Sequence, residues 1–142
     1  MNKHVFLLFI SFFICSFAFA DYTIKNVYRF DNIDMIKNID SSSIVNLTVN
    51  GFSEDSNGNK ATSKCLVHVI EGTISGNCEA IDQDGDIEYS TVLRDMSKGN
   101  VGELKRIGGT GKYENKSSTC EYTVHLTDFK VGVGYLTASC KE

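Results

Sequence analysis

The sequence has no proline and no tryptophan, only three histidines, and no run of clustered lysine or arginine. Without proline or a low-complexity stretch, nothing marks a linker or a domain boundary. Without a basic run there is no electrostatic footprint for nucleic acid, whose binding depends on clustered cations. Cysteine is sparse, at five residues. The one long apolar run lies at the N-terminus, where Val5 to Ala20 is almost wholly apolar but only 16 residues long. A spanning helix needs about 20 such residues.

What is present at that end has the three parts of a secretory signal. Lys3 supplies the positive charge, the apolar run follows, and Ala18-Phe19-Ala20 gives a small-x-small cleavage pattern before Asp21. Bulky Phe13 and Ile14 precede Cys15, where a lipoprotein signal has small residues. Residues 1–20 are therefore expected to be a signal peptide, leaving a secreted or periplasmic protein with no membrane anchor after cleavage. The remaining 122 residues, 21–142, carry 13 lysines and arginines against 18 aspartates and glutamates, and their length suits one domain.

Cleavage leaves four cysteines: Cys65, Cys78, Cys120 and Cys140. An even number in an exported chain argues for two bridges among three possible pairings.

Strand signals recur along the mature chain. Ile44 to Val49, Cys65 to Ile70, Ile87 to Leu93, Tyr122 to Leu126 and Val131 to Thr137 alternate or carry β-branched residues. Turn residues separate them at Ser56-Asn57-Gly58-Asn59, Glu71-Gly72, Asp82 to Gly85, Lys98-Gly99-Asn100 and Asp128-Phe129-Lys130. Asn32 to Asn38 is the one segment whose pattern also admits a short helix. Regularly spaced short strands imply a meander, and a sheet of about eight strands hides its edges by closing. The expected fold is all-β, an eight-stranded antiparallel up-and-down barrel.

The cysteines support the hairpins independently. With Glu71-Gly72 as a two-residue turn, counting outward from Ile70 and Thr73 sets Cys65 opposite Cys78. A second hairpin turning near Lys130 sets Cys120 opposite Cys140. The expected bridges are Cys65–Cys78 and Cys120–Cys140, each worth on the order of 3 kcal/mol in the chain-entropy account.

Three elements carry a family resemblance: Gly76-Asn77-Cys78, Asp82-Gln83-Asp84-Gly85-Asp86, and Gly108-Gly109-Thr110-Gly111-Lys112-Tyr113. In order and spacing, Gly76 to Tyr122 resembles small exported bacterial proteins related in fold to plant allene oxide cyclase and dirigent proteins. The resemblance implies an eight-stranded antiparallel barrel with a central cavity and no cofactor. It departs from the family pattern at Glu114 to Thr119, which lacks the usual glycines. No plant catalytic motif matches residue by residue, so no catalytic position is carried over.

The same elements mimic other sites and fail their tests. Asp82 to Asp86 places carboxylates at alternate positions, as a Ca²⁺ loop does, but Ile87 stands at the EF-hand glycine position and Leu93 at its bidentate glutamate position. An acidic hairpin turn with Gly85 at positive φ and aspartates capping backbone amides fits better. Gly108 to Lys112 resembles a phosphate loop, but Arg106 replaces its first glycine and Tyr113 its Ser or Thr. It reads as a glycine-rich bend. Alternation sets Cys65, Val67 and Val69 on one face and Leu66, His68 and Ile70 on the other, and sets His125 with Glu121, Thr123 and Thr127 opposite Tyr122, Val124 and Leu126. No Cys–His nucleophile, Gly-x-Ser-x-Gly elbow or close-spaced zinc cysteines follow. No metal site and no catalytic residue is assigned.

The candidate ligand-binding residues are Glu88, Tyr89, Arg94 and Tyr122, because a few inward polar groups orient a ligand in an otherwise apolar barrel. Three functions follow in order of preference. The first is a non-catalytic barrel that binds a small apolar molecule or serves as an accessory or interaction protein. The second is a cofactor-free cyclase or isomerase that confines a reactive substrate. The third is an exported inhibitor or virulence-associated binder presenting the polar stretch Asn50 to Lys60 to a protein partner.

Overall fold

The computed structural model describes residues 21–40 and 42–141; the expected signal peptide lies outside them. Eight antiparallel strands follow one another around a closed barrel: β1 Tyr22–Lys37, β2 Ser43–Asp55, β3 Lys60–Ile70, β4 Thr73–Asp82, β5 Ile87–Asp95, β6 Val101–Gly109, β7 Ser118–Asp128 and β8 Val133–Lys141. Each strand pairs with its sequence neighbours, and β1 closes the ring against β8 from Tyr22 opposite Cys140 to Arg29 opposite Val133. The stretch that also admits a helix is strand instead, from Asn32 to the end of β1 at Lys37. There the ladder to β2 overrides a weak local helical pattern.

Local chemistry sets the hairpins. Glu71 and Gly72 both have positive φ, 50° and 78°, as a two-residue turn matched to the strand twist requires. Ile70 faces Thr73, and the count reaches Cys65 opposite Cys78 without interruption. Around the β7–β8 turn the count is broken. Asp128 faces Val133 and Leu126 faces Tyr135, but beyond the irregularity between Val124 and Leu126 the partners shift by one, and Cys120 faces Cys140. His125 is the extra residue of a bulge. Both expected disulfides are present, with Cα atoms 4.0 Å apart for Cys65–Cys78 and 3.9 Å for Cys120–Cys140.

The His125 bulge also reverses the expected faces beyond it. Leu126 is exposed on the outer wall, and Thr127 turns inward to meet the Tyr28 hydroxyl at 3.1 Å. Similar shifts occur in β1 between Asp31 and Asp34 and in the β5–β6 pairing between Tyr89 and Ser90. A bulge adds one residue to a strand, so it changes the phase of every side chain after it.

Among the described residues the largest fully buried side chains are those of Cys120 and Cys140. They form a cluster with Tyr22, Tyr122 and Ala138, against which Ile24, Leu104, Val124 and Leu136 pack. Two tyrosines lie over cross-strand glycines. Tyr122 pairs with Gly102, and Tyr28 with Gly134. A Cβ at either glycine would run into the facing ring. Glycine there lets an aromatic side chain lie flat on the neighbouring backbone.

Candidate functional site

The strand directions put three connections at one end of the barrel, 56–59, 83–86 and 110–117, beside the start of β1. This end is held by an acid at the end of β4 and a lysine and a tyrosine from the connection 110–117. The Asp82 carboxylate, with 1% of its side chain exposed, lies 2.6 Å from Lys112 Nζ. It also accepts hydrogen bonds from the backbone N–H groups of Asp84 and Asp86 at 2.8 and 3.0 Å. Tyr113 donates its hydroxyl to the second oxygen at 3.1 Å, and Asn59 Nδ2 donates to that hydroxyl at 3.0 Å. Lys112 further bonds Asp84 at 2.9 Å and Asn59 at 3.0 Å. The acidic segment is thus an amide-capping turn, with Gly85 at φ 87°. The glycine-rich segment is the bend that delivers Lys112 and Tyr113 to it.

The electrostatics follow from this geometry. Burial opposes charge on Asp82, but the Lys112 ammonium, two backbone amides and the Tyr113 hydroxyl outweigh it and hold the carboxyl at about 2. Hydrogen bonding to Asp82 and then Asp84 raises Lys112. Burial chiefly pushes the Tyr113 hydroxyl up to about 12, with the Asp82 carboxylate adding to it against the Asn59 bond.

A second pair lies just inside. Arg106 Nη2 meets Glu88 Oε2 at 2.6 Å, with 8% and 13% of the two side chains exposed. The guanidinium is also flanked by two rings, 5.4 Å from the Tyr22 centroid and 5.3 Å from that of Tyr113. Cation–π contact of this kind is strongest where water is excluded. A cavity of about 210 Å³ opens here, lined by Tyr22, Asp55, Asn59, Arg106, Tyr113 and Lys116 among others.

The four sequence-chosen residues do not form one cluster. Glu88, Arg94 and Tyr122 lie on the inward face, whereas Tyr89 is on the outer wall, opposite Glu79 and 42% exposed. Glu88 and Arg94 occupy opposite ends of β5, six residues apart, or about 20 Å at strand rise. Glu88 belongs to the Arg106 end. Arg94 lies toward the other end with Tyr122 and Tyr28, close enough that its charge favours the ionised Tyr122, whose hydroxyl is raised chiefly by burial. Tyr22, Arg106, Lys112 and Tyr113 were missed as site residues. For Lys112 and Tyr113 the signal was the motif spacing between Asp82 and Tyr113, but no local pattern says that those segments touch, and nothing in the sequence marks Tyr22.

The polar stretch 50–60 is smaller than expected as a loop. β2 runs to Asp55 and β3 starts at Lys60, so the turn itself is four residues. Asp55 Oδ1 accepts from the backbone of Asn57 and Asn59 and fixes it.

The closed antiparallel ring of eight strands has a dirigent-like barrel fold. It is similar to a solved pterocarpan synthase dirigent protein, with TM-score 0.55 and 12% sequence identity over 87% of this chain and 88% of that one. A second solved pterocarpan synthase dirigent protein gives TM-score 0.53 and 12% identity over 84% of this chain and 93% of that chain. No protein-family model matches the sequence. No curated protein matches it either. The shared property is the fold, since unrelated functions occupy one barrel.

Proposed function

We propose that the chain is an exported, non-catalytic binding barrel that takes a small, uncharged, single-ring molecule at the mouth formed by Tyr22, Asn59, Arg106 and Tyr113. The observation that carries this reading is the cavity of about 210 Å³ between the two tyrosines. That volume lies below the roughly 300–1,000 Å³ typical of drug-sized ligands, which favours a single ring. The rings of Tyr22 and Tyr113 offer apolar walls, and the Asn59 amide offers a polar contact for orientation. Glu88, Asp82, Arg106 and Lys112 are committed to close ion pairs. They place no demand for charge on the ligand and leave no poised acid or base among these four. Two interior disulfides suit an oxidising compartment, in support of export.

The test uses p-cresol as probe. Titration calorimetry and ring-proton NMR are expected to show binding that perturbs Tyr22 and Tyr113 and weakens at least tenfold in Tyr113→Ala. A fold-preserving Tyr22→Leu variant gives a second, independent reading. Unchanged affinity in both variants, or no perturbation of either ring, would reject the site.

A further inference from the structure

The opposite half of the barrel carries a different kind of site. Arg94 is on the inward face of β5, in register with Ile74 and in phase with Ser90 and Val92. Its Nε is buried and has no hydrogen-bond partner. The close ion pairs on the inner wall use Glu88 for Arg106 and Asp82 for Lys112, both toward the other end. Toward the Arg94 end the inner wall carries two phenol hydroxyls: Tyr122, 7% exposed, and Tyr28, 8% exposed and bonded to Thr127 at 3.1 Å. A half-buried guanidinium whose buried Nε lacks an acceptor is completed by a ligand that brings both an acceptor and a counter-charge.

We propose that Arg94, with Tyr28 and Tyr122, forms an anion subsite inside the barrel that takes the carboxylate of a small aromatic acid. The guanidinium presents parallel donors matched to the two oxygens of a carboxylate, and the phenol hydroxyls donate to the same group. The two rings, laid flat over Gly102 and Gly134, flank the ligand's apolar body. A neutral isostere lacks the charge that compensates Arg94 and binds more weakly. This subsite shares no residue with the mouth proposed above, so either can fail alone.

Benzoate is the probe, with benzamide as its neutral isostere. The purified protein is expected to bind benzoate at least tenfold more tightly than benzamide, a difference of about 1.4 kcal/mol. Arg94→Met is expected to abolish that preference and Arg94→Lys to keep part of it, while Lys105→Gln, on the outer wall, leaves it unchanged. Bound benzoate also brings a negative charge beside Tyr122, so ultraviolet-monitored titration is expected to move that tyrosine upward in the parent protein and not in Arg94→Met. This second readout needs no comparison of affinities between variants. Equal affinity for benzoate and benzamide, no binding of benzoate, an unchanged preference in Arg94→Met, or loss of benzoate binding in Tyr113→Ala would each overturn the assignment.

Discussion

The Tyr113 hydroxyl donates a 3.1 Å hydrogen bond to the Asp82 carboxylate, joining two turns that lie 31 residues apart in sequence. The bond makes the ionised form of Asp82 part of the fold, and the stability of this end is consequently linked to pH. The folded Asp82 has a pKa of about 2 against an ordinary value of 3.8. A carboxyl whose pKa falls on folding contributes stability that is fully present above the unfolded value and is lost as pH drops toward the folded one. Nearly two units correspond to roughly 2 kcal/mol. Asp82→Asn is expected to lose about that much at neutral pH, and the gap from the parent should close between about pH 4 and pH 2. Urea unfolding across that range checks it, and a gap that stays constant with pH would exclude the linkage.

Removing only the Tyr113 hydroxyl isolates its share. Tyr113→Phe keeps the ring beside Arg106 and leaves Asp82 with one donor fewer. The expected loss is about 1–2 kcal/mol, since a buried charged acceptor is left short of a partner. The acid transition should also begin at higher pH, which separates this effect from a loss of packing.

The register of the β7–β8 hairpin depends on His125. If His125 took a partner in a regular ladder, the count fixed at the turn, Asp128 opposite Val133, would set Cys120 opposite Lys141 instead of Cys140. A deletion of His125 removes the unpaired residue and carries the count from Leu126 opposite Tyr135 straight to Val124 opposite Leu136 and Cys120 opposite Cys140, so both bridges are expected to form, whereas an alanine inserted beside His125 is expected to offset the two thiols. Thiol labelling with peptide mapping measures both. Free thiols at Cys120 and Cys140 in the deletion variant would show that His125 does more than take up one unpaired position.

Glu71 sits at φ 50° in the β3–β4 turn, a conformation that disfavours a long L side chain and suits asparagine. Glu71→Asn is expected to raise stability by about 1 kcal/mol, the lower estimate of the left-handed penalty. Chemical denaturation measures the gain; a loss would mean that the Glu71 side chain makes a contribution larger than its strain.

Gly134 gives the opposite sign. Its Cβ position is occupied by the Tyr28 ring. Gly134→Ala is expected to cost about 1–3 kcal/mol, as overpacking of a fixed site does. A melting curve unchanged from the parent would show that the Tyr28 ring moves aside freely.

The barrel and its bridges were legible in the sequence because their determinants are local. Glu71-Gly72 is a turn whatever surrounds it, and two cysteines counted out from it must meet. The count toward Cys140 came out right because a turn centred near Lys130 absorbed, unseen, the shift that His125 introduces. Which side chains face inward was less legible. Alternation placed Leu126 with Tyr122, but the bulge sends it to the surface and brings Thr127 in. Tyr89 was grouped with Glu88 and Arg94 by proximity in sequence, although neighbouring strand residues point to opposite faces. The latch at the mouth was not legible as a site. Asp82 could be read as a turn-capping residue, yet its bonds to Lys112 and Tyr113 join segments that no short-range pattern connects.

With 0% of Cys120 and Cys140 exposed, their bridge is shielded by the wall it joins. A small reductant in the surrounding medium meets the sulfurs only when neighbouring strands part, so the lifetime of this bridge under dithiol times the breathing of the ring.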